Sequence, residues 1–249
     1  LVLGKLEINF LMANNFEFLN WDSDFFNLQI GKLVGDKELH DLELKDFFEK
    51  EIDLIYYYTQ EPLSKDFSSE YYEPLLVDLK IPVKKLVGPK KVNPKISFFL
   101  EKTANQELIQ LAQLAGIHTR FKVDPKISEA KFNELFKIWI EKSVDGQMAS
   151  KVFVYVEAEK IVGFATALLD GETGYAPLLA VNRDYEGLGI SFAIMNAVES
   201  YMYENGCKTL VSSTQGVNNK ALRIYERWGC EFDRQIYVYH LWSKKLNFL

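Results

Sequence analysis

The segment LLAVNRDYEGLGISFAIMNAV, residues 178–198, restricts the folds open to this chain more than any other stretch. An apolar run suited to a buried strand passes through Gly187 and Gly189 into a helical pattern that sets Phe192, Met195, Val198 and then Met202 on one side. Glycine permits the tight turn between the two. The amide N–H groups of Gly187, Leu188, Gly189, Ile190 and Ser191 can then point at one anion beside the positive end of the helix dipole, a position that suits a diphosphate. A bare turn with no ligand has the same appearance, so the junction needs a second element before it indicates function.

That element is NNKALRIYERWGCEF, residues 218–232, one strand downstream. On a helix, Asn218, Ala221 and Tyr225 are spaced by three and four and share a face. Tyr225 there is either a core aromatic or a hydroxyl directed into a cleft. Gly229 closes the helix.

Around these two motifs the pattern is α/β. KVFVYVEA and KIVGFATALLD read as an antiparallel hairpin turning near Glu157 to Lys160, with further strands expected at 175–181 and 207–214 and a long final one at 230–242. Ser128 caps a helix with Phe132, Leu135, Phe136 and Trp139 on one stripe. In the first half, FEFLNW (16–21) opens a mixed region with a helix near Asp41 to Lys50 and strands at 52–58, 74–86 and 96–102. Thr103 and Gln106 form a capping-box pattern for a helix that ends at Gly116, and 117–123 looks extended. The chain is expected to divide near Gly116, with a smaller α/β domain over 1–116 and a second domain over 117–249. Residues 1–11, ahead of Met12, read as a leader or an appended extension.

A net charge of −6 argues against a nucleic-acid partner, since phosphate-backbone binding needs a basic face. The Lys84, Lys85, Lys90 and Lys91 cluster among prolines reads as a solvated connector. Cys207 and Cys230 form no CxxC, and His40, His118 and His240 are scattered, so no metal site is expected and a reducing cytoplasm is. No apolar run reaches the ~18 residues needed to span a bilayer.

Together the two motifs resemble those of the GNAT superfamily of N-acetyltransferases, in which [Q/R]-x-x-G-x-[G/A] cradles the coenzyme A diphosphate and N-x-x-A-x-x-x-Y-x-x-x-G-F follows on a later helix. Asn218, Ala221, Tyr225 and Gly229 match the second pattern, and Gly189 matches the first. Glu186 replaces the preferred Gln or Arg, Ser191 replaces the last small residue, and Cys230 replaces an aromatic; Arg183 is placed to offset Glu186. WDSDFFNLQIGKL, LLVDLKIPV, TRFKVD, FKIWIEKSV and YVYHLW extend the likeness towards the dTDP-fucosamine acetyltransferase group, which acetylates a nucleotide-linked amino sugar.

The resemblance implies a mixed, mainly antiparallel sheet flanked by helices in the C-terminal half, with acetyl-CoA as co-substrate. It implies an acyl-CoA site at Leu179, Ala180, Val181 and the 187–191 loop, where a backbone N–H near Leu179 or Ala180 binds the thioester oxygen. Tyr225 is then the general acid, with Asn218 beside it; a phenol pKa of ~10 keeps the proton available near neutral pH. Asp22, Asp24, Asp170, Glu172 and His118 are candidates for the base by residue type only. Trp21, Asp22, Asp24, Phe25 and Arg120 are candidates for the substrate wall, although Trp21 and Phe25 can equally be packing residues, Asp22 and Asp24 turn caps, and Arg120 part of a salt bridge. The implied partner is a small amine, with a sugar nucleotide foremost and a peptide N-terminus, amino acid or polyamine as the alternative. A domain that binds acyl-CoA or a partner without catalysis is the rival of a different class, and pairing of the final strand across a homodimer is open.

Overall fold

The run LIYYYT is buried at all six positions, as only a central strand covered on both faces can be. The computed structural model describes residues 15–35 and 39–246 and places this run near the middle of one large sheet; the expected extension at 1–11 lies outside the described residues. In chain order the elements are β1 (Asn15–Phe18), α1 (Asn20–Phe26), β2 (Ile30–Gly35), α2 (Asp41–Glu49), β3 (Leu54–Thr59), β4 (Tyr72–Leu86) and β5 (Ile96–Phe98). Then come α3 (Gln106–Ala115), α4 (Arg120–Val123), α5 (Glu129–Val144), β6 (Lys151–Glu157), β7 (Lys160–Asp170), β8 (Thr173–Tyr175) and β9 (Leu179–Val181). The chain continues through α6 (Ile190–Glu204), β10 (Thr209–Gln215), α7 (Asn219–Arg227), β11 (Glu231–Phe232) and β12 (Ile236–Ser243).

The strand order is β1-β2-β3-β12-β4-β10-β8-β7-β6-β5, with β9 beside β7 and β11 beside β4. Pairing is antiparallel except for β2 with β3 and β10 with β8, so the mixed, mainly antiparallel sheet expected from the resemblance is present. The C-terminal strand β12 lies between β3 and β4, so segments on either side of Gly116 share the sheet.

Alternation along β6 and β7 sends Val154 and Phe164 to one face and Phe153 and Ala165 to the other. On the first face Phe132, Leu135, Phe136 and Trp139 of α5 meet Tyr56, Tyr58, Val77 and Val238, as the helical stripe predicts. On the second, Ile194, Met195, Val198 and Met202 of α6 and Tyr225 of α7 meet Val83 and Leu210. Phe136 is fully buried, and truncation to Ala at such a site costs about 3–5 kcal/mol.

Several local expectations change. Asn105 rather than Thr103 caps α3, its Oδ1 accepting Leu108 N–H at 3.0 Å. Gly116 does end that helix, but with φ −86° it is not a left-handed cap; a Cβ there would meet the Phe136 ring at 2.3 Å, so close approach is what requires glycine. Residues 120–123 are helical, not extended, because Thr119 turns the chain onto Gly116 (Oγ1 to O, 2.7 Å) and Phe121 is buried among Tyr56, Phe26 and Trp139. Asp22 and Asp24 sit inside α1, ahead of the turn they were expected to cap. The final strand is broken at 233–235, opposite Pro82, which has no N–H to donate to the ladder.

Candidate functional site

The expected strand 175–181 is in fact two short ones that part company with β10. Through Tyr175 and Val211 the parallel β8–β10 pairing holds, followed by Ala176 N–H to Val211 O (3.1 Å) and Ser212 Oγ to Ala176 O (2.8 Å). Past Pro177, Thr166 Oγ1 accepts Leu178 N–H at 3.1 Å, and β9 follows β7 alone. A cavity of about 170 Å³ opens between β9 and β10 and passes through the sheet. From one face Asn218, Ala221, Ile224 and Tyr225 line it; from the other come Arg120, Phe121 and Trp139, with Asp78 and Lys80 of β4 in the wall.

Register decides which β9 amides face the cleft. Asn182 N–H bonds Val162 O and Thr166 N–H bonds Leu178 O, so Leu178, Ala180 and Asn182 are the residues that bond with β7. Alternation turns the N–H groups of Leu179 and Val181 to the other edge, facing the cleft. Of the two oxyanion donors considered from sequence, Leu179 has the right orientation and Ala180 does not.

Tyr225 is buried, with its hydroxyl 3.0 Å from Ser212 Oγ. Ser212 has one hydroxyl proton, and it goes to Ala176 O, so Tyr225 is the donor of this pair. Burial pushes the phenol pKa up, which keeps it protonated. Asn218 is the N-cap of α7: its Oδ1 accepts Ala221 N–H at 3.1 Å, leaving its NH₂ as the polar group free of that bond.

The glycine loop is exposed and built as the sequence suggests. Gly187 (φ +80°) and Gly189 (φ +75°) occupy the left-handed region, and a Cβ on either would touch nothing within 4 Å, so the glycines serve backbone conformation and leave open space. Gly189 caps α6 without any side chain, and Ala193 N–H to Gly189 O is its first helical bond. The amides ahead of it are available to an anion, which is the donor set a diphosphate requires. Glu186 Oε2 meets Lys220 Nζ at 2.6 Å; Lys220, not Arg183, offsets the carboxylate and ties the loop to the first turn of α7.

At the other end of the cleft Arg120 lies over the rings of Phe121, Tyr56 and Tyr58, at 4.4, 4.9 and 5.7 Å. Asp124, just after α4, accepts from His240 Nδ1 (2.5 Å) and Trp242 Nε1 (2.9 Å), which anchors that short helix to β12 and fixes Arg120. Burial drives the Asp78 carboxyl up to about 7, against the opposing pull of Arg120, and drives the Lys80 ammonium down to about 7.

Of the substrate-wall candidates only Arg120 reaches the cleft. Trp21 and Phe25 stack on each other at 5.2 Å and pack on the core, Asp24 is exposed, and Asp22 is buried where it feels the Arg120 charge. None of Asp22, Asp24, Asp170, Glu172 and His118 lines it. Asp78, Lys80 and Ser212 were not singled out from sequence. In LLVDLKIPV an Asp and a Lys two apart inside an apolar run were the available signal, since charged residues seldom sit within such a run without a partner or a task.

Residues 111–230 match the family model described as Acetyltransferase (GNAT) family. Over 140 residues the chain is 26% identical to the spore coat polysaccharide biosynthesis protein SpsD of Bacillus subtilis (strain 168), a match covering 56% of this chain and 48% of that one. The chain thus spans about half the length of this curated relative. Among solved structures, a GNAT-family protein from Novosphingobium aromaticivorans superposes with a TM-score of 0.53 at 12% identity, covering 94% of this chain and 91% of that one. A GCN5-related N-acetyltransferase from Kribbella flavida gives 0.52 at 11% identity, covering 94% and 88%. At these identities the structural likeness speaks for the fold.

Proposed function

We propose that this chain transfers the acetyl group of acetyl-CoA to the amine of a nucleotide-linked amino sugar, a reading supported by the match of residues 111–230 to the GNAT acetyltransferase family model. The observation that carries the reading is the through-sheet cleft between β9 and β10. It brings a cleft-facing strand edge and a buried, protonated tyrosine on one face together with a charged chamber on the other.

The amides from Gly187 to Ser191 hold the diphosphate at the start of α6, and Lys220 keeps the Glu186 carboxylate from repelling it. Acetyl-CoA supplies the acetyl group as an activated thioester. Leu179 N–H, held at the cleft edge by the β7 ladder, stabilises negative charge on the thioester oxygen. Tyr225 gives a proton to the departing sulfur and Asn218 NH₂ orients the acyl arm beside it. Arg120 supplies positive charge to an acceptor that carries phosphate, which favours a sugar nucleotide over a polyamine. The polysaccharide-biosynthesis name of SpsD agrees with that class. No helix among the described residues is long and apolar enough to cross a membrane.

Calorimetric titration with acetyl-CoA, followed by a thiol-release screen of dTDP-amino sugars, peptides and polyamines, tests this. Turnover is expected with the dTDP-amino sugars. Absence of binding at millimolar acetyl-CoA refutes acetyl transfer, and preference for a peptide or polyamine refutes the acceptor class.

A further inference from the structure

On the basis of the acetyl-transfer reading, we propose that Asp78 is the catalytic base that takes a proton from the acceptor amine. Acetyl transfer needs a neutral nitrogen, whereas an aliphatic amine arrives protonated near neutral pH. A group in the cleft wall, on the chamber side, is placed to remove that proton. Among the described residues Asp78 is the one carboxylate that lines the cleft.

Its placement follows from an irregularity in the sheet. Val238 pairs with Asp78 and Tyr239 with Leu76, so Val77 is the extra residue of a bulge in β4, and a bulge re-aims the side chains around it. The Asp78 carboxylate takes a hydrogen bond from Leu79 N–H, while its Oδ1 is buried and has no hydrogen-bond partner. An unpaired carboxylate oxygen in the wall of a cavity is costly unless a ligand meets it, and an ammonium N–H is the donor that satisfies it. The charged and titratable groups facing Asp78 are Arg120 of α4 and Tyr58 of β3; its β12 partner Val238 is apolar, and Lys80 stands two residues along its own strand. A carboxyl poised at about 7 is matched to this task.

The protons balance. The ammonium gives one proton to Asp78 Oδ1, and the freed nitrogen lone pair forms the C–N bond. As the C–S bond breaks, the sulfur takes the Tyr225 proton, and the second N–H proton returns to Tyr225. Asp78 then releases its proton to solvent.

The test uses the whole chain, with wild type, Asp78→Asn and Asp78→Glu compared in acetyl-CoA titrations and in thiol release against pH with the best amine of the screen. Asp78→Asn is expected to bind acetyl-CoA as wild type does, to lose on the order of 10²-fold in kcat/KM, and to lose the acid limb near pH 7. Asp78→Glu should recover part of the rate with a displaced limb. An acid limb that persists unmoved in Asp78→Asn, or kcat/KM within threefold of wild type, overturns the role of Asp78 alone. Should Asp78→Asn fail to bind acetyl-CoA, Asp78→Glu decides: a displaced limb supports the role and an unmoved one overturns it. A wild-type chain that releases no thiol with any amine overturns the acetyl-transfer reading and this role with it.

Discussion

Replacing Tyr225 with Phe separates a catalytic tyrosine from a packed one, because the two readings differ in size as well as in kind. The ring stays in the core it shares with Val83 and Trp228, so only the hydroxyl is lost, with its 3.0 Å bond to Ser212. Ser212 keeps its own bond to Ala176 O, and no buried donor is stranded. The structural loss is therefore one neutral hydrogen bond, about 1 kcal/mol, or a fall of roughly 2–4 °C in Tm for a chain of this size. Loss of a general acid lowers kcat by about 10²–10⁴, equivalent to roughly 3–5 kcal/mol in the barrier. Thermal melting and thiol release at saturating acetyl-CoA, measured on the same preparation, give both numbers. A drop of a few degrees with kcat within threefold of wild type, chemistry being rate-limiting, would show that Tyr225 only fills space and bonds Ser212.

Three further outcomes are expected. Glu186→Gln removes the carboxylate next to the loop amides, so acetyl-CoA should bind about two- to tenfold more tightly at low salt, read by calorimetry; weaker binding would mean that the Lys220 pair is needed to hold the loop. Gly174→Ala brings a Cβ to 2.4 Å from Met202 Sδ in the fully buried interior, and should cost about 1–3 kcal/mol in urea unfolding; an unchanged midpoint would refute that tight fit. Asp78→Asn should raise stability in a pH-dependent way. The folded pKa, about 7, lies above the unfolded value of 3.8, so ionised Asp78 destabilises the fold, by nothing below pH 3.8, by progressively more between there and about pH 7, and by a constant amount above that. The Asn variant should thus gain nothing at pH 3.5 and at most about 4 kcal/mol above pH 8, and a gain that is flat with pH would contradict the burial argument.

What was legible in the sequence was local. The strand–loop–helix junction follows from Gly187 and Gly189 and the helical spacing beyond them, the start of α5 from Ser128, and the α7 stop from Gly229, because turn and cap preferences act within a few residues. The α5 stripe and the hairpin β6–β7 follow from periodicity alone. Asn218 and Tyr225 share a face by their spacing alone, and both line the cleft.

Only the tertiary structure decided the rest. The 120–123 segment reads as extended from Ile117, Thr119 and Val123, yet burial of Phe121 and the Asp124 anchor to β12 make it helical and turn Arg120 into the cleft. That β8 and β9 separate depends on Thr166, on another strand, taking the Leu178 amide. The pairing of β4 between β12 and β10 buries Asp78 and Lys80 beside a cavity, a result of long-range register that no window of sequence contains. The sequence by itself therefore located the loop and the tyrosine, whereas the opposite half of the cleft exists only once a strand from the first half of the chain lies beside the last.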